Sequence, residues 1–110
     1  MNPQLTQSNT DYIVDKVFEM LTAKNSMFQL QQDEYKSKIR QQYEMYLINS
    51  LMSLLNNEKI EEFQIMLTDY PFDKEMHNKF LKENVEGFEN AVVELSGQFV
   101  ASYGEFIQTL

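Results

Sequence analysis

The sequence contains no cysteine and no tryptophan, and it has only three glycines, two prolines and one histidine. Without cysteine, the chain cannot form a disulfide, a thiolate nucleophile or a cysteine-ligated metal site. Few glycines and prolines leave few breaks, which favours long helices over a fold with many turns. A single histidine is also too few for the zinc and di-metal sites that draw several strong ligands from facing elements.

Long hydrophobic runs are missing as well. The most apolar stretch, YLINSLMSLL, is ten residues long and contains one asparagine and two serines, whereas a membrane-spanning helix needs about 20 predominantly apolar residues. The first ten residues, MNPQLTQSNT, lack the basic start and the apolar run of a secretory signal. The sequence therefore predicts a soluble protein without membrane insertion, and the absence of cysteine fits the reducing cytoplasm.

Basic residues are scarce in the second half of the chain. The formal net charge is −8, and residues 56–110 hold eleven acidic against four basic side chains, with no base after Lys82. Nucleic-acid affinity comes largely from lysine and arginine neutralising phosphates, so this half would repel DNA and RNA. Anionic membrane surfaces are disfavoured for the same reason. The charge predicts a protein partner with a basic surface and no direct nucleic-acid binding.

The length and the hydrophobic content predict one helical domain. A chain of 110 residues with 43% hydrophobic residues is long enough to bury a core without covalent staples. We predict a flexible tail over residues 1–9 and a single helical domain over residues 10–110. The predicted fold class is all-α, a compact bundle of about five helices.

Apolar residues recur every three or four positions in five segments, which is typical of amphipathic helices. The predicted helices cover residues 10–25, about 31–55, 56–67, 73–84 and about 86–108. Asn56-Asn57 ends the second helix and can cap the third, and Asp73 is the predicted N-cap of the fourth. Pro71 ends the third helix, because the residue before a proline is biased away from the helical conformation.

The last helix carries more apolar surface than one narrow stripe explains. The predicted core stripe has a near-heptad spacing and consists of Phe88, Val92, Leu95, Phe99, Tyr103 and Phe106. Val93, Val100 and Ile107 lie outside it at intervals of seven residues, so they share a further face. Contiguous exposed apolar surface tends to mark an interaction site. We therefore predict that these three residues contact another chain, or helix one if that helix docks late.

Two other features of the last helix suit a partner. The acidic residues Glu86, Glu89 and Glu94 lie beside the predicted apolar face and would meet a basic surface. The small residues of this helix would let another helix approach closely: Ala91, Gly97, Ala101 and Ser102. The predicted partner interface comprises Val93, Val100, Ile107, Glu86, Glu89 and Glu94, and a homo-oligomer is one form that it could take.

The sequence offers no catalytic, cofactor or metal site. His77 has Asp73 four residues earlier, but two ligands fall short of a zinc site, and we expect a satisfied or surface histidine. Acidic neighbours such as Asp33 and Glu34 fall at predicted helix N-termini, where the helix dipole favours them. The glycines are too dispersed to form a phosphate-binding loop. We therefore predict no enzymatic activity and no cofactor.

The order of elements resembles a small all-helical family of unknown function found mainly in bacteria of the candidate phyla radiation. The resemblance covers about residues 27–103 and is carried mostly by IEEF at 60–63 and FLKENVEGFE at 80–89. It implies a helical fold and a bacterial source, and it brings no activity or site residues.

Composition and pattern together predict a non-enzymatic protein-interaction module or a small subunit of a larger assembly. The alternative is an acidic inhibitor that mimics nucleic acid and blocks a nucleic-acid-binding protein. Dense, regularly spaced acidic runs are absent from the sequence, and a duplex presents far more charge per length. The interaction module is therefore the leading hypothesis.

Overall fold

The computed structural model describes residues 7–110 and confirms the all-α class. In this range the chain forms five α-helices and one 3₁₀ helix, with no strand. The elements are α1 (Gln7–Lys24), the 3₁₀ helix (Ser26–Gln31), α2 (Gln32–Met52), α3 (Asn57–Asp69), α4 (Lys74–Asn84) and α5 (Phe88–Gln108).

The predicted N-caps of α3 and α4 are confirmed. The Asn56 side chain accepts a hydrogen bond from the backbone N–H of Lys59 at 2.9 Å, and Asp73 accepts one from Met76 at 3.1 Å. Each bond satisfies one of the free N–H groups at a helix start. Gly87, before α5, has a φ of 67° and lies in the left-handed region, which glycine enters without the penalty of a Cβ atom.

Several helix boundaries differ from the prediction. Helix α1 begins at Gln7, so residues 7–9 of the predicted tail are helical, and the rest of that tail lies outside the described residues. The connector before α2 is a 3₁₀ helix, capped by Asn25, which accepts a bond from the Met27 N–H at 3.0 Å. Helix α2 ends at Met52 because the chain tightens there: Leu54 N–H donates to Leu51 O at 3.0 Å.

Helices α1, α2 and α5 form a three-helix bundle. Asp15 pairs with Lys36 at 3.0 Å, and Asp11 pairs with Arg40. Because the later residue of α1 meets the earlier residue of α2, these two helices run antiparallel. Helix α5 packs on both of them. Helix α1 therefore belongs to the core of the bundle. Its apolar side chains are buried within this chain, without contact with another molecule.

Helices α3 and α4 form a hairpin at one side of this bundle. Phe63 of α3 stacks on Phe80 of α4, with ring centroids 5.5 Å apart. The hairpin joins the bundle mainly through α4 and α5, and an ion pair of 2.8 Å links Lys74 to Glu44 of α2. The molecule is elongated, with extents of 46 × 27 × 25 Å and a radius of gyration of 15.2 Å, whereas about 13 Å is usual for a compact domain of this length.

One continuous cluster of buried apolar side chains draws on all five helices. From α1 and α2 it includes Ile13, Val14, Val17, Phe18, Leu21, Ile39, Tyr43, Leu47 and Leu51. From the rest of the chain it includes Leu55, Phe63, Leu81, Val85, Phe88, Val92, Phe99 and Ile107. The bundle supplies most of this core, and α3 contributes only Phe63 as a fully buried side chain.

Candidate interaction surface

The predicted apolar face of α5 is not one exposed line. Val93 is 54% exposed, Val100 is half-buried against the core, and Ile107 is only 5% exposed. The three residues therefore do not form one exposed surface, because Ile107 is buried. Phe106, a member of the predicted core stripe, is exposed instead.

The contact between α1 and the second half of α5 explains this correction. Gly104 lies on the same face as Val100 and Ile107, and a Cβ atom built on it would lie 3.0 Å from Met20 Cε. This face therefore meets α1, which agrees with the alternative that helix one covers it. The helices that cover this end of α5, and not the spacing along the helix, therefore determine that Ile107 is buried and Phe106 is exposed.

The side of α5 that carries Gly97 stays open. A Cβ atom built on Gly97 would have no atom within 4 Å, and Ala101 and Ser102 are exposed. The close approach to α1 occurs at Gly104 and not at Gly97. Val93 is one turn before Gly97 on this open face.

The three predicted acidic interface residues lie within seven positions of Val93 in the sequence. Glu86 and Glu94 are exposed and Glu89 is half-buried. Glu94 follows Val93 directly on α5, and the Gln98 amide donates to Glu94 Oε1 at 3.5 Å, whereas Glu86 precedes the helix. Val100 and Ile107 are partly or fully buried against the core.

A second surface feature, which the sequence analysis missed, is the turn between α3 and α4. It consists of Tyr70, Pro71, Phe72 and Asp73, and the Asp73 N–H donates to Tyr70 O at 3.3 Å. Phe72 has a negative φ, and no cis peptide bond occurs in the described residues 7–110, which excludes type II and type VI turns here. Pro71 occupies the second position of the turn, where its fixed φ is favourable.

Phe72 is the most exposed large apolar side chain among the described residues, with 93% of its surface accessible. Tyr70 is also exposed, and a shallow open depression is lined by residues 70–75. The stretch TDYPFD indicated only a break between helices. An aromatic residue directly after the proline of a turn is the signal that could have predicted this exposed ring. Side chains at the tip of a turn point away from the helices that the turn joins.

His77 is buried, so it is not a surface histidine, although it is hydrogen-bonded. Only 3% of its surface is exposed, and its Nε2–H donates to Tyr70 O at 2.7 Å. Its ring contacts the Phe63 ring edge-on, with centroids 5.9 Å apart. The first helix of the hairpin thus supplies apolar packing for His77, and His77 fixes the carbonyl group at which the turn begins.

The buried Tyr43 links α2 to α5. Its hydroxyl lies 2.6 Å from Ser96 Oγ, and its ring contacts Phe99 at a centroid distance of 5.2 Å. Burial raises the pKa of Tyr43, and the hydrogen bond with Ser96 lowers it by a smaller amount. Burial also raises the pKa of Tyr103. These tyrosines pack within the bundle, where a neutral hydroxyl is favoured.

Neither a metal-binding cluster nor a membrane-spanning helix occurs in the part of the chain that the structure describes. No three side chains of histidine, cysteine, aspartate or glutamate are grouped there so that they could hold a metal ion. None of the helices in residues 7–110 is long and apolar enough to cross a bilayer.

The acidic neighbours in the sequence lie at helix starts. Asp33 and Glu34 lie in the first turn of α2, and Glu58 and Glu89 lie in the first turns of α3 and α5, where the helix dipole stabilises acids.

Comparison with known proteins returns no match: no protein-family model, no curated protein and no solved structure is similar to this chain. The resemblance to the small helical bacterial family therefore stays a prediction.

Proposed function

We propose that this chain is a non-enzymatic protein-interaction module or a small subunit of a larger assembly, acting in the cytoplasm. One observation carries the proposal. Six large apolar side chains in the acidic residues 56–110 are more than half exposed: Ile65, Tyr70, Phe72, Val93, Phe106 and Leu110. They lie among the eleven acidic side chains of the same segment.

The combination of apolar and acidic side chains favours a protein partner. Exposed apolar groups gain free energy when a partner removes them from water, whereas a nucleic-acid mimic needs charge above all. Around Val93, the carboxylates of Glu86 and Glu94 would face basic side chains of the partner. Complementary charge of this kind mainly raises the association rate and selects the partner.

The partner is first sought by capture from a native lysate with quantitative mass spectrometry, and then expressed and purified. Binding of the purified protein is measured at several salt concentrations. We expect association to slow as salt rises, because salt screens exposed charges over about 8–10 Å. A set of captured polymerases or nucleases would instead favour the nucleic-acid mimic.

Two double variants show which acidic residues affect the association rate. Glu86→Gln with Glu94→Gln removes two exposed acids from the acidic half, and Glu19→Gln with Asp33→Asn removes two from the first half of the chain. Only the first pair should slow association with a basic partner. Equal effects of both pairs would show that net charge alone matters. A wild-type chain that binds no protein and stays monomeric in light scattering would overturn the proposed function.

A further inference from the structure

The turn between α3 and α4 presents an aromatic side chain in a way that the core does not require. Phe72 is 93% exposed, so its ring contributes almost nothing to the stability of the isolated chain. An aromatic residue of this size buries about 150–250 Å² when a partner covers it. Among the side chains that the structure describes, Phe72 therefore offers the largest unused gain from apolar burial.

The backbone that carries Phe72 is held on both sides. Tyr70 O accepts two hydrogen bonds, one from the Asp73 N–H at 3.3 Å and one from the buried His77 Nε2–H at 2.7 Å. Asp73 in turn caps α4 by accepting from the Met76 N–H. Pro71 restricts the remaining backbone freedom between these points. A partner that binds Phe72 therefore orders little additional backbone, which lowers the entropic cost of association.

The charges beside Phe72 indicate the chemistry of the partner. Asp69, Asp73 and Glu75 are exposed within three residues of the ring. The one base in this range, Lys74, pairs with Glu44 of α2 at 2.8 Å. Three exposed carboxylates thus lie within three residues of Phe72, and the one base in that range is already paired. They favour a surface rich in lysine or arginine.

The same charges disfavour two other occupants. In a symmetric dimer centred on this turn, both copies would contribute the same acidic patch, and each chain carries a net charge of −8. An anionic bilayer would repel these carboxylates as well.

We infer that Phe72 is the aromatic anchor of a docking site, and that it inserts into an apolar pocket of an unlike protein whose rim carries lysine or arginine. This inference rests on the proposed function and specifies where the partner binds. Interface hot spots are a few aromatic or arginine side chains that fill desolvated pockets, surrounded by contacts of small energetic effect. The exposed ring and its acidic rim have this arrangement.

The absence of tryptophan from the chain gives a direct reporter. In Phe72→Trp the turn carries the only tryptophan, so its fluorescence reports on this position alone. In the free protein we expect the emission of a water-exposed indole and full quenching by acrylamide. A blue-shifted, protected indole in the free protein would contradict the exposure on which the inference depends.

A photo-crosslinker at position 72 identifies the pocket. We replace Phe72 with p-benzoylphenylalanine, irradiate in a native lysate, and sequence the cross-linked peptides. Leu30 is the matched control, because it is the next most exposed large apolar side chain, at 80%. It is also remote from the turn: Glu44, whose ion pair with Lys74 lies beside the turn, is about 18 Å further along α2. The expected product from position 72 alone is one unlike protein, cross-linked within an apolar pocket flanked by basic residues.

The affinity of that protein, expressed and purified, then decides the proposal. Loss of a hot-spot side chain costs about 2 kcal/mol or more, so Phe72→Ala should weaken binding about 30-fold or more. Leu30→Ala should bind as the wild type does, and circular dichroism should be the same for all three proteins. Pro71→Gly should weaken binding about two- to fivefold through the lost backbone restriction.

Several outcomes would overturn the inference. Cross-links from position 72 to another copy of the chain would show self-association. A blue shift of the Phe72→Trp emission on neutral phosphatidylcholine vesicles, with no protein cross-link, would show a lipid contact. If the wild type and Phe72→Ala bind the purified partner equally, only this inference fails, whereas a wild type that binds no protein overturns the proposed function too.

Discussion

The three-helix bundle and the α3–α4 hairpin distribute their apolar side chains differently. In the bundle, α1, α2 and α5 bury a continuous row each, and the Tyr43–Ser96 hydrogen bond and the Asp15–Lys36 ion pair link the helices. The hairpin buries Phe63, His77 and Leu81 but exposes Ile65, Tyr70 and Phe72. Elements with fewer buried contacts open more readily and more often carry binding sites. This difference supports the proposal that the bundle provides stability and the hairpin provides recognition.

The largest expected effect is the loss of the hairpin's own core. Phe63 is fully buried and contacts both His77 and Phe80. Phe63→Ala should destabilise the hairpin by about 3–5 kcal/mol, as large aromatic deletions do. Hydrogen exchange should show lost protection in α3 and α4 and retained protection in α2. Uniform loss of protection over all helices would show that the two regions unfold as one unit.

The corresponding change in the bundle should unfold the whole molecule. Leu47 is completely buried in the middle of α2, so Leu47→Ala should lower the free energy of unfolding by about 2–5 kcal/mol. The exposed Lys38 on the same helix gives the control, and Lys38→Ala should shift stability by less than about 0.5 kcal/mol. Denaturant titration measures both. Equal small effects at the two positions would contradict the helical phase described above.

Substitutions at two valines of α5 test which part of this helix is covered by the bundle. Val100 is half-buried against the core, whereas Val93 is exposed. Val100→Glu should cost about 1–3 kcal/mol because it places a charge against apolar neighbours. Val93→Glu should leave the melting temperature near that of the wild type. A thermal melt in which both variants behave alike would show that α1 does not cover the second half of α5.

The burial of His77 changes the expectation for its removal. A surface histidine could be replaced without effect, but His77 donates to Tyr70 O and packs on Phe63. His77→Ala should therefore destabilise the hairpin by about 1–3 kcal/mol, within the range for a lost buried hydrogen bond and its packing. Lys79→Ala, an exposed change on the same helix, is the control. Identical melting temperatures for the two variants would contradict the stabilising role of His77 in the hairpin.

The smallest effect concerns alkaline pH. Burial raises the pKa of Tyr43 above its ordinary value, so the unfolded chain loses this proton at lower pH than the folded chain does. Its contribution to stability is complete below about pH 10 and is lost as the pH rises through the folded pKa. Tyr43→Phe should therefore flatten the fall in stability above about pH 10. An unchanged pH profile would mean that other tyrosines determine it.

Local patterns were sufficient for the helices and several of their ends. Helix starts depend on local chemistry. The side-chain oxygens of Asn56 and Asp73 accept hydrogen bonds from N–H groups that are free in the first turn of a helix, and Gly87 takes up a left-handed conformation without the penalty of a Cβ atom. The phase of α5 could not be predicted in the same way. The narrow stripe placed Phe106 inside and Ile107 outside, but a neighbouring helix determines which of two adjacent residues is covered.

The sequence by itself determined the all-α class, the order of the five helices and the acidic second half, because these follow from periodicity, capping residues and charge. Only the tertiary structure decided that Ile107 and His77 are buried and that Phe72 is exposed. Burial depends on which elements cover a position, and that covering comes from residues far away in the sequence: Met20 approaches Gly104, and Phe63 packs on His77.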